Sequence, residues 1–392
     1  VSIRSSLALF RVPSFAPVLL AILLASLAEA VAGSYMALLA VAKIGMSPLE
    51  LSAFLTLSAV SGIVVTTVFG QRHDRNPVMW PLLVALVAKA VGYGLCAVLT
   101  ETWMLLLNAF FLFGLSSASF ALLFAIAKGY LDRVGGAAVQ RGMAALRLTS
   151  SLAWAIGPAL GAGLVAVWSF EGVFAGAAVL AVLALGLVIF GRIEAVPADL
   201  GERAKITLDV VLAAAPAVIA MTAFHLVMFM GSNAMSIVVI EELGTATDVG
   251  LLFSLCAALE VLVMAVFVVR PVEGDTRWLL LLGFALFALY FVMPIIWPTL
   301  ASLYWGQIPR AIAIGIISVL GMAYIQGLLP GRAGIASALF GNTMSAGFLL
   351  SGLGTGLWAE GFGYWSLFIV CAVVSLVGGA VLFWPKSRRV IV

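Results

Sequence analysis

The sequence predicts an all-α membrane protein of twelve transmembrane helices arranged as two six-helix bundles. Three observations carry this. Of 392 residues, 64% are hydrophobic and only 9% charged, whereas a soluble domain carries about 25% charged residues to wet its surface. Polar punctuation cuts the chain into twelve apolar segments, and the longest polar stretch falls midway. The apolar runs are too long for the alternating strands of an outer-membrane barrel.

The first six segments run over 14–40, 49–70, 77–99, 103–127, 141–168 and 172–191. The second six run over 208–239, 247–269, 276–297, 299–326, 332–359 and 363–385. Each is long enough, at a rise of about 1.5 Å per residue, to cross a hydrocarbon core of ~30 Å with some tilt. The polar stretch 192–207 (within RIEAVPADLGERAKITLD) reads as a cytoplasmic linker between an N-terminal bundle, 1–191, and a C-terminal bundle, 208–392.

Charge fixes the expected orientation. With the N-terminus inside, sixteen Lys/Arg fall in cytoplasmic segments and only Lys43 outside, where Glu50, Glu101, Glu171, Glu241, Glu242, Asp248 and Glu360 lie. This positive-inside bias puts both termini in the cytoplasm. The stretch up to Arg11 reads as a cytoplasmic lead-in rather than a signal peptide. The three cysteines are far apart in apolar runs, and the two histidines are well separated, so neither a disulfide framework, a metal site nor any cofactor is expected. A net charge of +3 gives no reason to expect nucleic acid.

The halves echo each other. A shift of 199 residues superposes Gly45 on Gly244 and Ser61 on Glu260; a shift of 195 superposes Gly157 and Gly161 on Gly352 and Gly356, both pairs spaced GxxxG for close helix approach. Repeated halves joined by a linker point to alternating access, with substrate bound between the halves near the midplane.

Four stretches resemble one family. Arg147–Pro158 reads RLTSSLAWAIGP, and Tyr324–Thr343 reads YIQGLLPGRAGIASALFGNT; AALEVLVM (Ala257–Met264) lies between them, and LFAIAK (Leu123–Lys128) before the first. Together they resemble the sugar efflux transporter (SET) family of the major facilitator superfamily. That resemblance implies a secondary transporter exporting sugars or sugar-like solutes. Gly327 stands where the family usually has an acid, and the loop GQRHDRNP (Gly70–Pro77) keeps only Asp74 and Arg75 of the superfamily's signature there. Asp74 and Arg75, with Gln326 and Arg332 of the QGLLPGR turn, are the gating candidates at the cytoplasmic side.

Ionisable groups within apolar helices are the strongest signal for a site. Glu29, Lys89, Arg147, Glu260 and Arg310 each cost roughly 2.5–3.5 kcal/mol at mid-membrane, so they are expected to face a polar cavity or pair with one another. Glu260, in the AALEVLVM match, is the first candidate to carry a proton or accept sugar hydroxyls; its bland alternative is a fixed ion pair with Arg147 or Arg310. Glu29 is the other candidate for either role, with Lys89 as its counter-ion. Arg147, Ser151, Trp154, Pro158 and Gly161 share one helical face. An indole there suits the apolar face of a sugar ring, though lipid or helix packing explains Trp154 equally well.

Asn233, Gln307, Arg310 and Asn342 complete the substrate-binding set. His225 is a candidate proton relay, or a simple bond to a neighbouring helix. No GxxxxGK(S/T) phosphate loop and no soluble catalytic domain appear, so the protein is neither ATP-driven nor an enzyme. The expected partners are a small sugar-like substrate, protons and the lipid bilayer, the protein acting as a monomer. The rivals are a multidrug or lipophilic-cation proton antiporter on the same fold, and a non-transporting receptor or scaffold.

Overall fold

The computed structural model describes residues 15–135, 137–196, 208–270, 272, 274–329 and 333–383. Among these, ten helices are long and apolar enough to cross a membrane. We label them α1 (Phe15–Gly33, continued as far as Lys43), α2 (Pro48–Arg75), α3 (Trp80–Val98), α4 (Thr102–Val134), α5 (Ala137–Phe190), α6 (Leu208–Val238, continued to Leu243), α7 (Ala246–Val269), α8 (Arg277–Ile296), α9 (Leu300–Leu328) and α10 (Ala333–Val381). The stretch up to Arg11, the linker from 197 to 207 and the gating candidate Arg332 lie outside the described residues.

Two helices differ from the segments read in the sequence. α5 and α10 are each two helices joined across a kink. α5 breaks at Trp168 and Ser169, where Ser169 has φ 55°, and α10 breaks at Gly363, where φ is +73°. The kink takes two residues in α5 and one in α10, so no separate loop interrupts either. The expected loop Gly70–Pro77 also changes: α2 runs through Asp74 to Arg75. Arg72 and Arg75 complement the negative end of the helix dipole, and Pro77 disfavours helix in the residue before it.

Local chemistry explains the other ends. Ser47 and Glu50 exchange hydrogen bonds at the start of α2, the Ser47 N–H donating to Glu50 Oε2 at 2.8 Å. Thr245 and Asp248 form the equivalent capping box at the start of α7. Before each box the helix loosens into a short π segment, Leu39–Lys43 and Val239–Leu243, followed by Gly45 and Gly244. The repeat read in the sequence therefore extends to the way α1 and α6 end.

The chain divides into two compact units, Val1–Gly45 with Leu57–Gly201, and Met46–Thr56 with Glu202–Val392. In the first, α1 and α3 pack along α5 over a core containing Phe15, Ile22, Leu86, Leu122 and Ile126. In the second, α6 packs along α10, α8 against α9 and α10, and α7 against α9. Its centre is aromatic: Phe224, Phe284, Phe287, Tyr290, Phe291 and Phe368 are all fully buried.

Lipid tails are as apolar as leucine, so helix association relies on close packing and interhelical hydrogen bonds instead. The predicted GxxxG pairs supply both. Gly157 abuts Ala30 and Gly161 abuts Tyr35 and the Val31 carbonyl, closing α5 on α1. Gly352 abuts Leu55, Gly356 abuts the Pro48 carbonyl, and Ser52 Oγ donates to the Gly352 carbonyl at 3.0 Å. This last contact groups residues 46–56 with the second unit, although they precede residue 191.

A methyl at Gly356 would strike the backbone of Pro48. Gly356→Ala is therefore expected to cost about 1–3 kcal/mol by overpacking, read as a lowered melting temperature in detergent. Gly361→Ala, with nothing within 4 Å of the added carbon, is the matched control; equal melting of the two variants would remove the packing role of Gly356.

Candidate functional site

Each unit carries its own polar cluster inside apolar helices. In the first, α1 presents Glu29 and α3 presents Lys89, with Lys89 Nζ donating to Glu29 Oε2 at 2.9 Å. The counter-ion expected for Glu29 is thus in place. The two ends differ in access: the Lys89 side chain is 2% exposed, that of Glu29 45%. Trp154, on α5, touches the position where a Cβ of Gly33 would stand, one turn beyond Glu29, and is itself exposed. Arg147, two turns earlier on α5, is exposed and makes no hydrogen bond or ion pair among the described residues.

A seam of small hydroxyls fastens α2 to α4 in the same unit. Ser61 Oγ donates to the Phe110 carbonyl, which lies in the π segment Ala109–Phe113. Ser117 Oγ donates to the Gly62 carbonyl at 3.1 Å and meets Thr66 Oγ1 at 3.1 Å. Ser61, the repeat counterpart of Glu260, is thus a helix-docking residue.

The second unit is built around Arg310, on α9 and 3% exposed. Its guanidinium lies between two rings, 5.3 Å from the centre of Tyr290 and 5.4 Å from that of Phe253. Nη2 donates to Ser232 Oγ at 2.7 Å and Nη1 to Gln307 Oε1 at 3.1 Å. Gln307 is fixed in turn, its Nε2 donating to the Leu303 carbonyl at 2.9 Å. Among the described residues Arg310 Nε makes no hydrogen bond. Charge is therefore spread over aromatic faces and neutral oxygens, with no carboxylate within ion-pair distance among the described residues.

Glu260 lies half-buried on α7. Among the described residues it makes no hydrogen bond and no ion pair, and the charge acting on it is that of Arg310. The fixed pair with Arg310 weighed from the sequence is absent from this arrangement. α7 reaches α9 through Gly315, which abuts Val263 and approaches the Glu260 carbonyl, so backbone contact holds the helices while the carboxyl stays free.

The remaining candidates are dispersed. His225 is buried on α6, its Nδ1 2.8 Å from the Met221 carbonyl and 3.2 Å from Thr343 Oγ1 on α10. That arrangement bonds one helix to its neighbour. Asn233 is half-buried beside Ser232, and Asn342 is exposed beside Thr343. Neither makes a hydrogen bond among the described residues. Asp74 and Arg75 are exposed at the end of α2, and Gln326 is half-buried near the end of α9. Ser232, Tyr290 and Phe253 were missed from the sequence. The small polar run GSNAMS (Gly231–Ser236) could have flagged Ser232, but nothing distinguishes Tyr290 or Phe253 from ordinary apolar filler.

Long apolar helices in two units, each with a polar cluster among them, make this a multi-pass membrane protein. Residues 18–271 match the Major Facilitator Superfamily. A relative from Deinococcus radiodurans, named as a sugar efflux transporter, is 36% identical over 94% of this chain and 97% of its own length. Sugar efflux transporter A of Escherichia coli is 27% identical over 86% of each chain. The nucleoside transporter NupG superposes with a TM-score of 0.73 at 13% identity, covering 94% of this chain and 99% of its own. A bacterial homologue of the lysosomal transporter Spinster superposes at 0.74 with 11% identity and 97% of each chain covered. This chain belongs to the major facilitator superfamily, and within it to the sugar efflux transporter family.

Proposed function

We propose that the protein exports sugars or sugar-like solutes across the bacterial inner membrane by alternating access, in exchange for protons and as a monomer. In this reading α5 and α10 each cross the membrane twice, turning at Trp168–Ser169 and at Gly363, which gives twelve crossings and two cytoplasmic termini. A 50-residue span such as Arg141–Phe190 is about 75 Å long as a straight helix, more than twice the ~30 Å hydrocarbon core. The bundles are 1–191 and 208–392, joined by the linker 192–207. Glu29, Arg147, Trp154, Asn233, Gln307, Arg310 and Asn342 contribute donors, acceptors and a ring face for a hydroxylated solute. Asp74, Arg75, Gln326 and Arg332 serve the cytoplasmic gate.

The observation that carries the proton step is the contrast between two carboxyls. Glu29 has one oxygen held by an ammonium at 2.9 Å, whereas Glu260 has no ion pair among the described residues. A carboxyl inside the membrane without a fixed partner is the group that can take up and release a proton as access alternates. The relatives named as sugar efflux transporters support a sugar as the cargo.

The test is sugar movement in proteoliposomes with and without an imposed pH gradient. The gradient is expected to drive accumulation against the sugar gradient; identical fluxes in both conditions would leave a facilitator. A melting-temperature panel of sugars against lipophilic cations checks the cargo. Stabilisation by the cations alone would replace sugar export with drug export.

A further inference from the structure

We infer that Lys89 is a positioning residue of the sugar site, its ammonium fixing the Glu29 carboxylate so that the second oxygen is presented to sugar hydroxyls. The inference rests on the sugar-transport reading and names how one of its ligands is made.

Four observations carry it. Lys89 Nζ binds only Oε2 of Glu29, at 2.9 Å, so Oε1 keeps its lone pairs free. Lys89 makes no other hydrogen bond among the described residues, and with its side chain 2% exposed it has no water to turn to. Its place on α3, a helix that packs along α5, holds it beside α1. Glu29, by contrast, is flanked by the fully buried Ala28 and Ala30, yet its side chain is 45% exposed. A half-open carboxylate facing hydrocarbon would be expensive, so the open half faces a wet space.

The chemistry follows from this asymmetry. A carboxylate free to rotate loses side-chain entropy whenever it binds a hydroxyl; one already held by an ammonium does not. Charge-assisted hydrogen bonds are about twice as strong as neutral ones, and two hydroxyls on adjacent ring carbons can share the free oxygen. One turn along α1, the Trp154 ring stands beside Gly33, 3.5 Å from where its Cβ would lie. The pair therefore fits a ring sugar that offers hydroxyls on one edge and an apolar face beside it. Lys89 touches no substrate in this scheme and acts only through Glu29.

The test is efflux kinetics in proteoliposomes for the unaltered protein, Lys89→Gln, Glu29→Gln and the double variant. Lys89→Gln is expected to raise KM about tenfold, the worth of the side-chain entropy that Glu29 would then lose on binding sugar, with kcat changed less than about twofold, as for a loss of uniform binding. Glu29→Gln should raise KM by a similar factor, and the double variant should match Glu29→Gln alone. An unchanged KM in Lys89→Gln overturns the inference. So does a double variant weakened by the product of the two single effects. Should Lys89→Gln fail to fold around its unpaired carboxylate, Lys89→Arg decides: its planar fork can take both Glu29 oxygens, so KM is expected to rise, and an unchanged KM overturns the inference. An unaltered protein that moves no sugar would overturn the transport reading itself, an outcome distinct from a working transporter indifferent to Lys89.

Discussion

Glu260→Gln is expected to yield a folded, extractable protein that exchanges sugar but no longer accumulates it in response to a pH gradient, with gradient-driven uptake falling by at least about tenfold. The fold should survive because α7 meets α9 through Gly315 against Val263 and the Glu260 carbonyl, none of which involves the carboxyl. Glutamine keeps the size and one acceptor oxygen of glutamate but cannot ionise, so it removes proton exchange while leaving hydrogen bonding. Two measurements separate the roles. Counterflow of labelled against unlabelled sugar needs no net proton movement and should persist; uphill transport should not. Loss of both would make Glu260 a sugar acceptor with no proton role. Wild-type coupling in the variant would reduce it to a structural group and return the proton step to Glu29 or His225.

The contrast between Glu29 and Glu260 was half legible in the sequence. The cost of membrane charge demanded a partner for Glu29, and Lys89 was a cation available in the same half; the structure joins them at 2.9 Å. The same reasoning offered Arg310 to Glu260 and failed, because a guanidinium can be satisfied by ring faces and neutral oxygens. Tyr290 and Phe253 do this while looking, in sequence, like any other residue of an apolar run. The GxxxG pairs were legible because only glycine permits such approach, and both pairs close helices as their spacing suggested. Helix ends were less so. Charged punctuation marked Glu171 and Glu360 as loop residues, yet both lie within helix, and the kinks fall at Trp168–Ser169 and at Gly363. A positive φ, not a polar side chain, makes each turn.

Arg310 yields the second large effect, and its sign separates structure from function. Arg310→Ala should be less stable than Arg310→Met by roughly 2–5 kcal/mol, the range for emptying a large buried site, since the space between Tyr290 and Phe253 would be left void while both variants lose the charge. Arg310→Met fills most of that volume without a charge. It forfeits the ring contacts and leaves Gln307 Oε1 without its donor, but it also removes an intramembrane cation costing roughly 2.5–3.5 kcal/mol. Ser232 remains satisfied, its hydroxyl donating to the Met228 carbonyl at 2.6 Å. Replacing a buried charge by an apolar group of similar volume is often neutral, so Arg310→Met is expected to melt within about 1 kcal/mol of the unaltered protein. Transport, however, should fall at least about a hundredfold in both variants if the charge acts on substrate or on the Glu260 carboxyl. A methionine variant as unstable as the alanine one would mean that the guanidinium serves the packing of α6, α7, α8 and α9. A stable methionine variant that still exports sugar would remove Arg310 from the site altogether.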